Sequence, residues 1–258
     1  MTEALAVESR GLHTPIRRPS PAPAPARGRS PVFGHLKSPT LVDFPGRMAA
    51  MLFVSGCNFR CGFCHNARLM GRRREGLSWD HLESRCRRWA DDWVDGAIVT
   101  GGEPTLAADL PDLLAFLRRF GFAIKLDTNG SRPDVLARCL PLVDYVAMDV
   151  KAGLSRYGEV TGHHDTNAIA ESVDLIRRHA RDYEFRTTIV DPLHTDDHMA
   201  EIADLIRGAR RYVVQPFVPR PDLPSPLFAA TPRTPPPRMR AVGALMEGAA
   251  REVHVRGA

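Results

Sequence analysis

The sequence predicts an α/β protein built as a partial, six-stranded (β/α)6 barrel, and three observations carry that expectation. Short apolar runs alternate with amphipathic helical stretches at intervals of about 25–50 residues. Each apolar run reaches a polar or cysteine-bearing residue at its C-terminal end, and in parallel βα folds that edge is where sites are assembled. The two flanks differ in kind from this middle: a Pro-, Ala- and Arg-rich beginning, and a proline-rich stretch after Pro219.

The candidate strands are Ala49–Val54, Ala97–Thr100, Ala123–Asp127, Tyr145–Asp149, Phe185–Val190 and Tyr212–Gln215. The candidate helices between them are Trp79–Trp93, Leu110–Phe120, Pro133–Leu140, Ala168–His179 and His198–Arg207, each with apolar residues at helical spacing. Six strands fall short of a closed eight-stranded barrel, so the sheet is expected to stay open. A doubly wound sheet would use the same alternation, and periodicity alone does not separate the two. Residues 1–33, including "RRPSPAPAPARGRSP", have almost nothing to bury and are expected to be a disordered tail. Residues 34–258 then form one domain, with a core over 47–217 and a closing part over 218–258. Within that closing part "PRPDLPSPLFAATPRTPPP" is expected to lack regular structure. A last helix near Arg238–Arg251 and a short strand in "EVHVR" pack back onto the barrel.

Composition limits the function classes. Hydrophobic content of 43% and charged content of 25% are ordinary for a soluble globular protein. The apolar run Met48–Val54 is far short of the roughly 20 residues that cross a bilayer. No secretory signal is visible, and five cysteines, an odd number, argue against a disulfide framework, so a cytoplasmic location is expected. The net charge of +5 comes from scattered residues, and Arg72–Arg74, the densest run, lacks interleaved aromatics. Neither a nucleic-acid nor a membrane partner is expected.

Three of the five cysteines, Cys57, Cys61 and Cys64, crowd into "SGCNFRCGFCHN" immediately after the first strand. Three thiolates on one loop can ligate three irons of a four-iron cluster and leave the fourth open for a substrate. Zinc is the competing metal, but structural zinc wants four ligands, and His65, directly after Cys64, is an awkward fourth. Cys86 and Cys139 fall on predicted helices and read as small buried hydrophobes. The second strand ends in "TGGEP", where Gly101 and Gly102 permit close approach to the backbone and Glu103 adds a carboxylate. The third ends in "KLDTNG", with Asp127 and Asn129; the fourth in "AMDVK", with Asp149 and Lys151; the sixth in "YVVQPF", at Gln215. The fifth carries Arg186 in an otherwise apolar run, where a guanidinium needs a carboxylate partner, either a ligand's or Asp149.

The C-x3-C-x2-C spacing with aromatic Phe63 before the third cysteine resembles the signature of radical S-adenosylmethionine (SAM) enzymes. That resemblance implies a 4Fe-4S cluster on Cys57, Cys61 and Cys64, its open iron chelated by the amino and carboxylate groups of SAM. It also implies that Phe63 packs near the adenine and that Gly101, Gly102 and Glu103 receive the SAM amino group. Asp127 and Asn129 would lie against the ribose and methionine, and Asp149, Lys151 and Arg186 would complete the bed. "SPTLVDFPGR" (Ser38–Arg47), "CHN", "LDTNGSRP" and "YGEVTG" (Tyr157–Gly162) look like markers of activating enzymes for glycyl-radical proteins. From about Gly34 to Phe217 the chain resembles the activating proteins of anaerobic ribonucleoside-triphosphate reductases and of pyruvate formate-lyases. The implied chemistry is reductive cleavage of SAM to a 5′-deoxyadenosyl radical that removes hydrogen from a glycine of a partner enzyme. A flavodoxin or ferredoxin-like protein would supply the electron. The alternatives are a radical enzyme acting on a small molecule and a non-catalytic metal-binding module.

Overall fold

The computed structural model describes residues 28–36 and 38–257. Eight strands form one sheet in strict chain order: β1 (Val32–His35), β2 (Ala49–Val54), β3 (Gly96–Gly101), β4 (Ala123–Thr128), β5 (Tyr145–Asp149), β6 (Tyr183–Ile189), β7 (Ala209–Pro216) and β8 (Ala250–Val255). β1 runs antiparallel to β2, and every later neighbour is parallel. A doubly wound sheet would reverse its order at a switch point; this one never does, so it is the open barrel of the two candidates. Strands β2 to β7 are the six expected from the sequence.

The main crossovers are α1 (Trp79–Asp91), α2 (Leu110–Arg118), α3 (Pro133–Cys139), α4 (Tyr157–Thr161), α5 (Thr166–His179) and α6 (Asp196–Leu205). Local chemistry starts them where they start. Ser78, Asp165 and Thr195 cap α1, α5 and α6 by accepting from the backbone N–H groups of His81, Ala168 and His198. Helix α1 buries Trp79, Leu82, Cys86 and Trp89, one face at helical spacing. The central strands are buried on both faces, which is why they read as continuous apolar runs. A small second core lies at the N-terminal end of the strands, where Phe44 packs on Ala49, Ile98, Tyr145 and Ala147. The "SPTLVDF" stretch therefore places one aromatic ring under the sheet's interior, at the end opposite to the cysteines.

Three expectations at the flanks change and a fourth holds. Residues 1–27 of the expected tail lie outside the described residues, but ordered contacts begin before residue 34. Ser30 N–H donates to Leu77 O (2.8 Å), Leu77 N–H to Val32 O (2.7 Å), and Val32 is fully buried. The proline-rich segment after Pro219 contains a short helix, α7 (Pro226–Ala230). The closing helix, α8 (Pro236–Leu245), starts earlier and ends sooner than its expected Arg238–Arg251 span. Proline opens both helices because a first-turn N–H has no intrahelical partner to lose. Finally, "EVHVR" belongs to β8, which extends the sheet beside β7 with Tyr212 opposite Val253.

Gly76 is where the N-terminal edge meets the body: a Cβ there would sit 1.8 Å from Ser30 O. Gly76→Ala should therefore push residues 29–32 off the segment that follows the cysteine loop. Limited proteolysis should cut the variant near residues 28–36 sooner than the wild type, with a lower melting temperature; unchanged cleavage would mean this edge is not held there.

Candidate active site at the carboxyl edge of the sheet

The loop after β2 carries Cys57, Cys61 and Cys64, all free thiols, and all three line one cavity of about 210 Å³ at the C-terminal edge of the strands. Among the expected site residues, Phe63, Gly101, Gly102, Asp127, Asn129, Asp149, Lys151 and Arg186 line the same cavity. Six strand ends thus meet at one place.

Glu103 is the exception. It is fully buried and does not line the cavity. Its Oε1 accepts from Thr105 N (3.1 Å), Thr105 Oγ1 (2.5 Å) and Thr128 Oγ1 (2.7 Å), and its Oε2 accepts from Asn129 N (2.6 Å). Burial pushes its carboxyl above the usual range, against these donors. The carboxylate expected to receive a ligand's amino group joins the end of β3 to the end of β4. The glycines before it have a similar duty. Gly101 sits at φ 136°, and a Cβ there would lie 2.1 Å from Val54 O; a Cβ on Gly102 would lie 2.1 Å from Gly56 O. Gly102 N–H donates to Val54 O (2.9 Å) and Glu103 N–H to Gly56 O (2.7 Å). "GGE" is therefore cut to let the backbone of the cysteine loop come close. Asn129 completes the link, its Nδ2 donating to Asn58 Oδ1 (3.1 Å) with Cys57 Sγ at 4.0 Å.

Across the cavity floor the charges alternate. Lys125 Nζ lies 2.9 Å from Asp127, Arg186 Nη2 lies 3.2 Å from Asp127, and Arg186 Nε donates to Asp149 Oδ1 at 2.5 Å. Lys151 Nζ donates to Asp149 Oδ2 at 3.0 Å. Arg186 does have the carboxylate partner expected of it, and it has two. Burial pushes both aspartates up, but the cations win: Arg186 first, then Lys125 at Asp127 and Lys151 at Asp149, holding both carboxyls below the usual range.

Burial also pushes the thiols up, Cys57 to about 11, Cys61 to about 12 and Cys64 in the same direction. Lys151 is the strongest opposing influence at Cys61 and Cys64. Such thiols keep their protons at neutral pH and would release them to solvent on binding a metal. Among the described residues no three His, Cys, Asp or Glu side chains converge closely enough to hold a single ion. Three thiols spread around a shared cavity suit a polynuclear group with each sulfur on a different iron. His65, the fourth ligand that zinc would need, spends Nε2 on Val218 O at 2.8 Å. Cys86 and Cys139 are buried on α1 and α3, outside the cavity lining.

Sequence reasoning missed several contributors. Thr188 lines the cavity two residues beyond Arg186, on the same face of β6, and accepts from Gln215 Nε2 at 2.8 Å. Strand alternation would have found it. His194 gave no signal: fully buried, it accepts Val190 N–H at Nδ1 (3.0 Å), so its Nε2 proton points to Lys151 O (3.0 Å) and holds the "DVK" turn.

Two predictions follow from this geometry. Glu103→Gln must set an amide N–H against one of four donors, so it should destabilise the fold by about 1–3 kcal/mol. Thermal unfolding reads this, and an unshifted transition would remove Glu103 from its linking role. Asp127 and Asp149 have carboxyls lowered on folding, so the stability they contribute is present above their ordinary value of about 4 and is lost as pH falls below it. Asp149→Asn should show both lower stability at neutral pH and a shallower acid-side loss than the wild type, measured as melting temperature against pH.

Residues 51–206 match the Radical SAM superfamily. A Methanocaldococcus jannaschii protein provisionally named glycyl-radical enzyme activating enzyme is 30% identical over 187 residues, covering 69% of this chain and 77% of that one. A Thermococcus kodakarensis protein provisionally named GTP 3′,8-cyclase is 25% identical over 186 residues, covering 66% of this chain and 56% of that one. Among solved structures, Streptococcus suis SuiB bound to S-adenosylmethionine shares the fold, with a TM-score of 0.60 at 15% identity over 79% of this chain. The alignment spans about half of SuiB, 51% of its length. The family match over more than half the chain and the three thiols facing one cavity lead to the same conclusion: the chain belongs to the radical SAM superfamily, whose cofactors are a 4Fe-4S cluster and S-adenosylmethionine.

Proposed function

We propose that this radical SAM enzyme installs a glycyl radical on a partner protein of the anaerobic ribonucleoside-triphosphate reductase or formate-lyase type. The observation that carries the reading is the likeness to the M. jannaschii protein over most of both chains. The placement of the activase-like markers supports it. "YGEVTG" forms α4, whose Thr161 O accepts from Arg60 N at 2.6 Å and whose Tyr157 ring meets Phe59 at 6.0 Å, so it braces the cysteine loop.

The second reading, a small nucleotide substrate, is favoured by the likeness to the provisionally named cyclase, which extends over 66% of this chain.

When bound, the cluster and SAM together supply one-electron reductive cleavage, yielding methionine and a 5′-deoxyadenosyl radical. The chain's own residues do the rest. Cys57, Cys61 and Cys64 would hold the cluster, and Lys151 sets a positive charge beside their sulfurs. Asp127, Asn129 and Phe63 offer polar and aromatic surface to the cofactor, and Arg186 keeps both aspartates ionised and fixed. The cavity walls would shield the reacting centre from water, and the hydrogen would come from the Cα of the partner's glycine.

The test is anaerobic reconstitution with SAM, reductant and a candidate glycyl-radical enzyme, read by electron paramagnetic resonance. A radical on the partner, absent when its glycine is replaced by alanine, is expected. SAM cleavage that consumes GTP and leaves every partner radical-free would favour the second reading. Cys61→Ala should abolish cluster assembly and SAM cleavage, whereas Cys86→Ala should preserve both.

A further inference from the structure

Residues 218–233 form a loop closed at its base. Thr234 N–H donates to Phe217 O and Phe217 N–H to Thr234 Oγ1, each at 3.1 Å, and both residues are buried. The tip of this loop carries α7, and it lands on the cysteine loop. Ser225 N–H donates to Gly62 O at 3.1 Å. A Cβ on Gly62 would lie 2.9 Å from the Phe228 ring and 2.9 Å from Ser225 Cβ. The Phe228 ring meets Phe63 edge-on at 5.7 Å and Phe217 at 6.4 Å. At the base, His65 stacks on Phe217 at 6.0 Å and reaches Val218 O. Gly62 and Phe63 are the two residues that separate the second and third thiols, so the loop grips the part of the chain that spaces Cys61 from Cys64.

We propose that Phe228 is a positioning residue: resting on the cluster already assigned to Cys57, Cys61 and Cys64, the proline-rich loop is a clamp that holds Gly62–Phe63 and so fixes the spacing of Cys61 and Cys64. Its composition suits that task. The prolines restrict the loop before it docks, which lowers the ordering entropy of holding α7 in place. No residue of the loop lines the cavity, so its contribution is to packing against the cysteine loop.

The experiment uses the full chain, reconstituted anaerobically, then exposed to air while the iron–sulfur absorbance is followed. Phe228→Ala should assemble the same iron content as wild type but lose its chromophore roughly 3–10-fold faster, the size expected for losing one aromatic pair. Its KM for SAM should rise more than its kcat falls, because Phe63 loses its support. Phe228→Leu should restore most of the wild-type lifetime. Leu227→Ala, on the exposed side of the same helix, should match wild type and so exclude a general loosening of the loop. Gly62→Ala, which drives the ring away, should reproduce the Phe228→Ala lifetime even if that variant folds poorly. Wild-type lifetimes in both Phe228→Ala and Gly62→Ala overturn the clamp while leaving the cluster assignment intact. A wild-type chain that takes up no iron–sulfur chromophore overturns the cluster assignment, and the clamp with it.

Discussion

One buried carboxylate ties the site together. Glu103 leaves β3, accepts from both backbone and side chain of Thr105, and takes the Thr128 hydroxyl and Asn129 N–H at the end of β4. Its own N–H donates to Gly56, at the start of the cysteine loop. A fully buried carboxylate is tolerated only when its lone pairs are filled, so this group forces three chain segments into one geometry. The thiols, Asn129 and the cavity between them take their places from that junction. A group outside the cavity lining thereby fixes the ends of the strands that frame it.

The second constraint is electrostatic. Lys125, Asp127, Arg186, Asp149 and Lys151 alternate in sign across β4, β5 and β6, so no charge is buried beside a like charge without an opposite partner. The ladder ends with Lys151 on the cavity shared by the three cysteines, carrying a positive charge toward their sulfurs. His194 and Arg238 extend the support outward: His194 holds Lys151 O, and Arg238 Nη2 donates to His194 O at 2.6 Å. The closing helix α8 is therefore linked through two side chains to the ion ladder.

Much of this was legible in the sequence, for physical reasons. Parallel strands buried on both faces leave uninterrupted apolar runs, and two of the six, Ala49–Val54 and Tyr145–Asp149, match the structure residue for residue. Polar residues at strand ends were read correctly as sharing one edge. The glycines of "GGEP" were legible as places of close approach, but what approaches most closely is the cysteine loop's backbone, and only the fold reveals that. The burial of Glu103 was not legible, because a carboxylate beside two glycines carries no mark of it. β1 was hidden because four residues with one deeply buried valine have no period to detect. The proline-rich stretch was read as irregular because proline is counted as a breaker; at the first turn of α7 and α8 it is compatible with a helix.

The central claim is that three thiols hold a cluster with one iron free for SAM, in a cavity framed by Glu103 and the ion ladder. The most direct measurement is the electron paramagnetic resonance spectrum of the reconstituted, reduced protein before and after SAM is added. About four irons per chain and a spectrum whose g-values shift on SAM addition are expected. A single zinc per chain, or an iron–sulfur spectrum that SAM leaves unchanged, would contradict it.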